Sequence, residues 1–568
     1  MTPLRALKQA ALIAATVLVS ACASEKASQP VSSTEQAAHE NRTRMLTRQF
    51  ETKADASRMA PAAPNAALML GQSAEDFREP SEPLNREIYG HYDDSPVKLV
   101  AEAPVSTFSI DVDTGAYANV RRFLQQGRLP VKDAVRVEEL INYFSYDYPL
   151  PADKTRPFSV TTEIATAPWN PDTYLLRIGL KGYDVAPDKL PPANLVFLID
   201  VSGSMMPPER LPLLQAGLRL LVQKLRAEDR VAIVVYAGAS GVVLEPTPGD
   251  QKAKILAALD RLTAGGSTNG ASGIRLAYTV AQQAYIENGI NRVLLATDGD
   301  FNVGTVGFDA LKNLVEEKRK SGISLSTLGV GRDNYNERLM EQLADIGNGN
   351  YAYIDTLKEA HKVLVHEMAS TLFTIAKDVK IQVEFNPATV AEYRLLGYEN
   401  RALKREDFHN DKVDAGEIGA GHTVTALYEI ALVGGKGRRV EPSRYEAPKA
   451  IDGRKDELAW LRLRYKLPKG ERSQLIEQPI KTADIHRAGS ASNDFRFAAA
   501  VAAFGQLLRG GTYTANFGYD DVLKLAQAAR GADTDGYRGE FLSVVNLAKS
   551  LDNTDRRANA DSATRVRN

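Results

Sequence analysis

Three short polar segments contain the residue types from which a site for a divalent cation is built. The first is the D-x-S-x-S pattern of Asp200, Ser202 and Ser204, the second is a glycine-rich loop with Thr268, and the third contains Asp298. All of them offer carboxylate or hydroxyl oxygens, which Mg²⁺ and Mn²⁺ prefer, whereas zinc and copper prefer imidazole or thiolate. The alternative is that these residues only cap helices and end strands, as Ser and Asp often do.

The elements that position these segments have the pattern of an α/β fold. Continuous apolar runs at 195–199 and 293–296 end directly before the segments with Asp200 and Asp298, and a third run lies at 231–235. Such runs are typical of strands buried on both faces, and amphipathic helical patterns alternate with them. We therefore predict a doubly wound parallel sheet, in which ligands bind at the carboxyl ends of the strands.

The same segments lack the residues of a catalytic site. None of the three contains histidine, and Ser202-Gly203-Ser204 is not a G-x-S-x-G elbow because Asp200 occupies the first glycine position. Catalysis would need a positioned base or nucleophile beside the metal ligands. The sequence therefore predicts a binding protein and not an enzyme.

Strands with clean apolar–polar alternation flank the α/β domain on both sides, which indicates half-buried antiparallel strands. Two N-terminal strands make a poor sheet alone, so we predict that they complete a β-sandwich with the later strands and that the α/β domain is an insertion. The alternative is two separate small sheets. The predicted regions are an α-rich entry module (98–152), the two parts of the sandwich (153–192 and 378–485), the inserted domain (193–377) and a helical C-terminal region (486–568).

The N-terminus has the features of a secretory signal peptide. Residues 1–22 combine basic residues with an apolar run too short to span a membrane, and they end in Val19-Ser20-Ala21-Cys22, which resembles the bacterial lipobox. Cys22 is the single cysteine of the chain, so intramolecular disulfides are excluded. We predict a lipoprotein signal peptide with Cys22 as the lipidated residue, followed by a flexible tether at 23–97. An ordinary signal peptide with a chance cysteine is the alternative.

Composition supports a multi-domain globular protein without affinity for nucleic acid. The chain has 568 residues, of which 44% are hydrophobic and 25% are charged. The 70 Lys and Arg residues nearly cancel the 71 Asp and Glu residues, so no basic field attracts nucleic acid.

The inserted domain resembles a von Willebrand factor type A domain with a metal-ion-dependent adhesion site, since all three motif segments are present in order. The resemblance implies hydroxyl ligands from Ser202, Ser204 and Thr268, with Asp200 and Asp298 acting directly or through water. Residues 106–114 and 136–148 are also similar to flanking regions of a bacterial family of lipoprotein-type von Willebrand A proteins, and so are Arg530-Gly531 and Gly536-Tyr537-Arg538 in the tail.

This resemblance implies a protein of the bacterial cell envelope that is held on a membrane by a lipid anchor and captures a protein partner. An Asp or Glu of that partner would bind a Mg²⁺ or Mn²⁺ ion at the adhesion site. Ala23 after the cysteine resembles the pattern for sorting to the outer membrane, facing the periplasm. A metal-dependent envelope hydrolase and a structural scaffold with a vestigial site are the alternative functions.

Overall fold

The computed structural model describes residues 86–110, 112–267, 270–299, 308–441, 454–486 and 489–566, with side chains through residue 553. All of these lie in one unit, Pro83–Asn568. The predicted signal peptide, Cys22, most of the tether and Thr268 lie outside the described residues.

The described residues form the following strands and helices. The strands are β1 (Lys98–Leu99), β2 (Val105–Ser109), β3 (Phe158–Ala167), β4 (Asn170–Gly182), β5 (Ala193–Asp200), β6 (Arg230–Tyr236), β7 (Ser240–Pro248), β8 (Ile290–Thr297), β9 (Ser324–Val330), β10 (Tyr351–Ile354), β11 (Thr374–Phe385), β12 (Val390–Leu396), β13 (Gly416–Gly419), β14 (Thr423–Leu432), β15 (Glu457–Lys466) and β16 (Gln474–Lys481). The helices are α1 (Gly115–Gln125), α2 (Val137–Asn142), α3 (Leu211–Lys224), α4 (Lys252–Asp260), α5 (Gly270–Gln283), α6 (Phe308–Lys320), α7 (Glu337–Ile346), α8 (Leu357–His361), α9 (Met368–Leu372), α10 (Asn493–Leu508), α11 (Tyr519–Ala528) and α12 (Tyr537–Val566).

The inserted domain is a six-stranded sheet in the order β10-β9-β8-β5-β6-β7, with helices packed on it. All eight residues of β5 and of β8 are buried, as their continuous apolar runs predict. The strands pair in parallel except β7, which pairs antiparallel with β6 at the edge of the sheet. The predicted doubly wound parallel sheet is confirmed, and a hairpin to β7, which the apolar runs do not predict, extends it at this edge.

Strands from both sides of the inserted domain form two antiparallel sheets that share one apolar core. One sheet has the order β1-β12-β14-β4-β3, and the other has the order β13-β11-β15-β16 with β2 paired to β11. In the first sheet Ile178 of β4 lies opposite Ala426 of β14, so residues far apart in sequence become neighbours. Ile178 packs in the same core as Ile381 and Leu463 of the second sheet. The predicted insertion of the α/β domain into a sandwich is confirmed.

The predicted tether at 23–97 is wrong at its C-terminal end, because Glu87 pairs with Arg122 at 2.8 Å and Asp94 pairs with Arg509 at 2.5 Å. Two further segments depart from the predicted elements. Residues 105–109, assigned to the α-rich entry module, form β2 and pair with β11, because their main-chain groups complete the edge of that sheet. The apolar spacing of residues 357–375 predicts one helix, but the structure has α8, a π-helical turn at Lys362–His366, and α9, after which β11 begins at Thr374. A π turn widens the helix and frequently marks a functional position.

The entry helices and the helical C-terminal region pack against each other in one apolar cluster. The ring of Phe144, just after α2, lies 5.0 Å from that of Phe497 in α10 and 5.6 Å from that of Phe541 in α12, edge to face. Among the described residues, no helix has both the length and the apolar character needed to cross a bilayer.

A buried charge network ties these helices to the inserted domain. The side chain of Arg121 in α1 is only 1% exposed, and its guanidinium pairs with Asp355 and Glu359 of the inserted domain at 2.5 and 2.8 Å. The same group pairs with Glu540 of α12 at 2.5 Å. One side chain therefore joins three regions of the chain.

Candidate functional site

Several hydrogen bonds hold the carboxylate of Asp200 at the carboxyl edge of the parallel sheet. Asp200 ends β5 and is fully buried. Its Oδ1 accepts a hydrogen bond from the backbone N–H of Ser202 at 2.9 Å, while its Oδ2 accepts from the hydroxyls of Thr297 (2.9 Å) and Tyr236 (3.2 Å). These donors come from β6, β8 and the turn after β5, so the carboxylate is held from three directions.

The two serines of the first motif turn their hydroxyls toward each other. The Oγ atoms of Ser202 and Ser204 lie 3.0 Å apart across a single 3₁₀ turn, Gly203–Met205. The glycine-rich loop lies directly against this turn, since Gly203 N–H donates to the carbonyl of Gly266 at 3.0 Å and Gly265 N–H donates to that of Val201 at 2.7 Å. This loop contains Thr268, whose own position is not among the described residues.

Asp298 is paired with an arginine that the motif pattern does not include. Asp298 follows β8 and is fully buried. Arg210 Nη1 donates to Asp298 Oδ2 at 2.6 Å and to the carbonyl of Ser204 at 2.7 Å. Its Nη2 donates to the carbonyl of Arg332 at 2.5 Å and to Asn334 Oδ1 at 3.3 Å. The guanidinium therefore joins the first and third motif segments.

The environment of Asp200 opposes its negative charge when no cation is bound. Burial raises the pKa of this carboxyl to about 6, and the nearby negative charge of Asp298 raises it further, against the hydrogen bonds from Ser202 and Thr297. A cation at this carboxylate would offset the negative charge that burial disfavours. The donors gathered here are carboxylate and hydroxyl oxygens, which fit a hard divalent ion such as Mg²⁺ or Mn²⁺.

Sequence reasoning placed Asp200, Ser202, Ser204 and Asp298 at one sheet edge, where the structure has them. It missed three supporting groups: Arg210, the hydroxyl of Tyr236 and the hydroxyl of Thr297. Thr297 stands beside Asp298 in the third motif, so its type and position were a usable signal. Arg210 reaches Asp298 because the loop before α3 folds back over that carboxylate. The spacing of residues in the sequence does not predict this position of the loop.

A second group of carboxylates lies at the junction of the inserted domain and the sandwich. Asp378, Asp414 and Glu417 bring carboxylate oxygens within 4.8 Å of one another. Lys466 pairs with Asp378 at 2.7 Å, and Arg319 pairs with Asp414. Basic side chains therefore already compensate two of these three carboxylates, and the group is explained as part of an ion-pair network.

Three family models match successive parts of the chain. They are described as "von Willebrand factor" (residues 83–177), "von Willebrand factor type A domain" (194–366) and "Uncharacterized protein YfbK, C-terminal" (370–551). The protein YfbK of Escherichia coli K12 is 51% identical over 471 residues, which are 82% of this chain and 81% of that one. Human inter-alpha-trypsin inhibitor heavy chain H2 is 26% identical over 190 residues, 31% of this chain and 20% of that one.

Solved structures also resemble the chain. A von Willebrand factor type A protein from Catenulispora acidiphila has a TM-score of 0.40 at 17% identity and covers 70% of this chain and 91% of that one. BatB from Bacteroides thetaiotaomicron has a TM-score of 0.27 at 20% identity and covers 31% of this chain and 97% of that one.

Proposed function

Since the chain belongs to the YfbK family and its residues 194–366 match a von Willebrand factor type A domain, we propose that it captures a protein partner through a divalent metal ion at this domain. Domains of this type mediate interactions between proteins, and the site described above supplies the chemistry for one. The partner would present an Asp or Glu side chain to the ion, and the ion would be Mg²⁺ or Mn²⁺. The protein would act by binding and not by catalysis.

The observation that carries this proposal is the arrangement of oxygen donors around Asp200. Asp200, Ser202 and Ser204 would hold the ion, with Thr268 and Asp298 completing the set directly or through water. When bound, the ion supplies an open coordination position for a carboxylate. The residues themselves fix the geometry, because Tyr236 and Thr297 orient the Asp200 carboxylate before any ion arrives.

Arg210 adjusts the charge of this site. Its guanidinium neutralises Asp298, so Asp200 contributes most of the formal negative charge that an ion would meet. An ion held by one carboxylate and several neutral hydroxyls keeps much of its positive charge. That residual charge attracts the carboxylate of a partner, which is the step that a binding function requires.

We propose further that the protein acts at the cell envelope, anchored by lipid on Cys22 and lifted from the membrane by the tether. The support is the lipobox-like Val19-Ser20-Ala21-Cys22. Ala23 favours the outer membrane, facing the periplasm. Growth with radiolabelled palmitate followed by membrane fractionation tests this: the label should appear in the outer-membrane fraction with the native chain and be absent with Cys22→Ser.

The capture mechanism is tested by crosslinking in cells with and without added chelator. The test variant is Ser202→Ala/Ser204→Ala, and the matched control is Thr279→Ala/Ser321→Ala, which removes two exposed hydroxyls elsewhere in the same domain. We expect the captured proteins to be lost with the chelator and with the test variant but retained with the control. A captured set that survives both treatments would show that no metal bridge is involved.

A further inference from the structure

The turn that carries Ser202 and Ser204 also displays a large apolar side chain to solvent. Met206 follows the 3₁₀ turn Gly203–Met205 and is 66% exposed, the highest value among the exposed large apolar residues that the structure describes. Met205, the preceding residue, is fully buried and anchors the turn on the domain. Of these exposed apolar residues, Met206 is the nearest in sequence to a predicted metal ligand. It therefore lies within reach of a ligand bound at that site.

Hydrogen bonds and two prolines fix the backbone on which Met206 stands. Its N–H donates to the carbonyl of Gly203 at 3.3 Å, and the N–H of Arg210 donates to the carbonyl of Pro207 at 3.0 Å. Arg210 Nη1 also donates to the carbonyl of Ser204 at 2.7 Å. The rings of Pro207 and of the next residue, also proline, restrict φ, so this segment has little conformational freedom left to lose. An apolar contact on such a preorganised turn costs less entropy than one on a mobile loop.

Two other parts of the rim contribute little to the selection of a ligand. The turn between β6 and β7, residues 237–239, contains only alanine and glycine. It lies against the glycine-rich loop, where a Cβ on Gly266 would be 3.6 Å from the Cβ of Ala237. In the loop before α3, the carboxylate of Glu209 already pairs with Arg332 at 3.5 Å. The apolar surface of Met206 is consequently suited to distinguish one acidic segment from another.

The spacing of Ser204 and Met206 indicates where the apolar side chain of a ligand would lie. Because consecutive Cα atoms are 3.80 Å apart, the Cα atoms of these two residues are separated by no more than about 7.6 Å. In an extended peptide, residues two apart project from the same face and are separated by about 6.7 Å, whereas adjacent residues project from opposite faces. A carboxylate on the ion would therefore bring the side chain two residues away from it next to Met206.

We propose that the metal site selects an extended partner segment in which an Asp or Glu lies two residues from a large apolar side chain, and that this side chain packs on Met206. The inference rests on the proposed metal-dependent capture and names the kind of segment that is captured. A carboxylate on the ion does not by itself distinguish partners, since Asp and Glu are exposed on most protein surfaces. Methionine suits the second contact because its flexible, unbranched side chain adapts to ligands of different shape.

The test is biosensor binding of the full chain to immobilised peptides in Mg²⁺, with a chelator wash to establish metal dependence. The first peptide is Gly-Leu-Gly-Glu-Gly-Leu-Gly, which places leucine two residues from the glutamate on both sides. The second, Gly-Gly-Leu-Glu-Leu-Gly-Gly, has the same composition but places leucine at the adjacent positions. The third replaces both leucines of the first peptide with serine.

The test variant is Met206→Ser, and the matched control is Leu150→Ser, because Leu150 is 50% exposed and lies outside the inserted domain. We expect the native protein to bind the first peptide at least about tenfold more tightly than the other two, as partial burial of a leucine on a methionine predicts. Met206→Ser should lose this preference and still bind the serine peptide as the native protein does. Leu150→Ser should keep the native preference.

The possible failures of this inference and of metal-dependent capture give different results. Equal binding of the three peptides, removed by chelator, would overturn the inference and leave the capture in place. Equal weakening of the first and third peptides by Met206→Ser would show that Met206 only supports the metal site, which also overturns the inference. Absence of chelator-sensitive binding for all three peptides would overturn the inference together with the proposed capture.

Discussion

The stability of the metal-free protein should depend strongly on the ion pair between Arg210 and Asp298. The Arg210 side chain is 8% exposed, Asp298 is fully buried, and the two groups are joined at 2.6 Å. Arg210→Met removes the guanidinium and leaves a buried carboxylate without it. Breaking a buried pair in this way costs about 3–5 kcal/mol of unfolding free energy. For a domain of the length of the inserted domain (193–377), this loss corresponds to a melting temperature lower by at least about 6 °C.

The same substitution has the opposite effect on the affinity for the metal. With Arg210 absent, a divalent ion has a second carboxylate to compensate, so we expect Mg²⁺ to bind at least about tenfold more tightly. Each tenfold gain adds about 1.4 kcal/mol of stabilisation at saturating metal. Magnesium should therefore recover part of the stability that Arg210→Met loses, and it should stabilise this variant more than the native protein.

The assay is thermal unfolding of chelated and Mg²⁺-loaded protein, with Arg219→Met as the control. Arg219 is the first arginine within α3 and pairs with Asp260, but the two side chains are 44% and 50% exposed. Exposed pairs contribute less than about 1 kcal/mol. The reasoning is refuted if the chelated Arg210→Met protein melts at the same temperature as Arg219→Met, or if magnesium stabilises both variants equally.

Three other predictions concern stability. Because the pKa of Asp200 is raised to about 6, the chelated native protein should lose stability as the pH rises from about 4 to about 6. Asp200→Asn removes this charge, so at pH 7 the variant should be more stable than the native protein by up to about 2–3 kcal/mol. Denaturant titrations should show this difference shrinking toward pH 4. Arg121→Met leaves three carboxylates without their shared partner and should cost about 3–5 kcal/mol in the same titrations, whereas Arg128→Met, at an exposed position, should cost under about 1 kcal/mol. Ser492 is the N-cap of α10, and its Oγ accepts a hydrogen bond from Phe495 N–H and donates one to Glu163. Ser492→Ala should lower the free energy of unfolding by about 1 kcal/mol, measured by thermal unfolding.

Each of these predictions has an outcome that contradicts it. A stability difference between Asp200→Asn and the native protein that is the same at pH 4 and pH 7 would rule out a role for the raised pKa. Equal losses in the two arginine variants would show that the network around Arg121 adds nothing beyond an ordinary surface charge. An unchanged melting temperature for Ser492→Ala would mean that water replaces the cap without cost.

Most of the parallel sheet could be predicted because its strands are buried on both faces. Strands β5 and β8 are continuous apolar runs, and the polar residues that follow them lie at the carboxyl edge for that reason alone. Strand β7 was missed because residues 240–248 include glycine, glutamate and proline and are mostly only half-buried. Its strand conformation depends on hydrogen bonds with β6, and the residue types of β7 alone do not predict that pairing.

The break in the last helix of the inserted domain had no signal in the apolar spacing. Residues 357–375 keep apolar side chains at helical intervals, and a π turn disturbs that spacing by only one residue. Arg210 was missed for a related reason. An arginine in a loop next to prolines is ordinarily solvent-exposed, and only the packing of that loop over Asp298 makes it part of the site.

The central claim is that Asp200, Ser202 and Ser204 form a divalent metal site, and calorimetric titration of Mg²⁺ into chelator-treated protein tests it most directly. The account predicts one bound ion per chain in the native protein and no saturable heat with Ser202→Ala/Ser204→Ala, while Thr279→Ala/Ser321→Ala behaves as the native protein does. Absence of binding in the native protein, or equal binding in all three proteins, would contradict it.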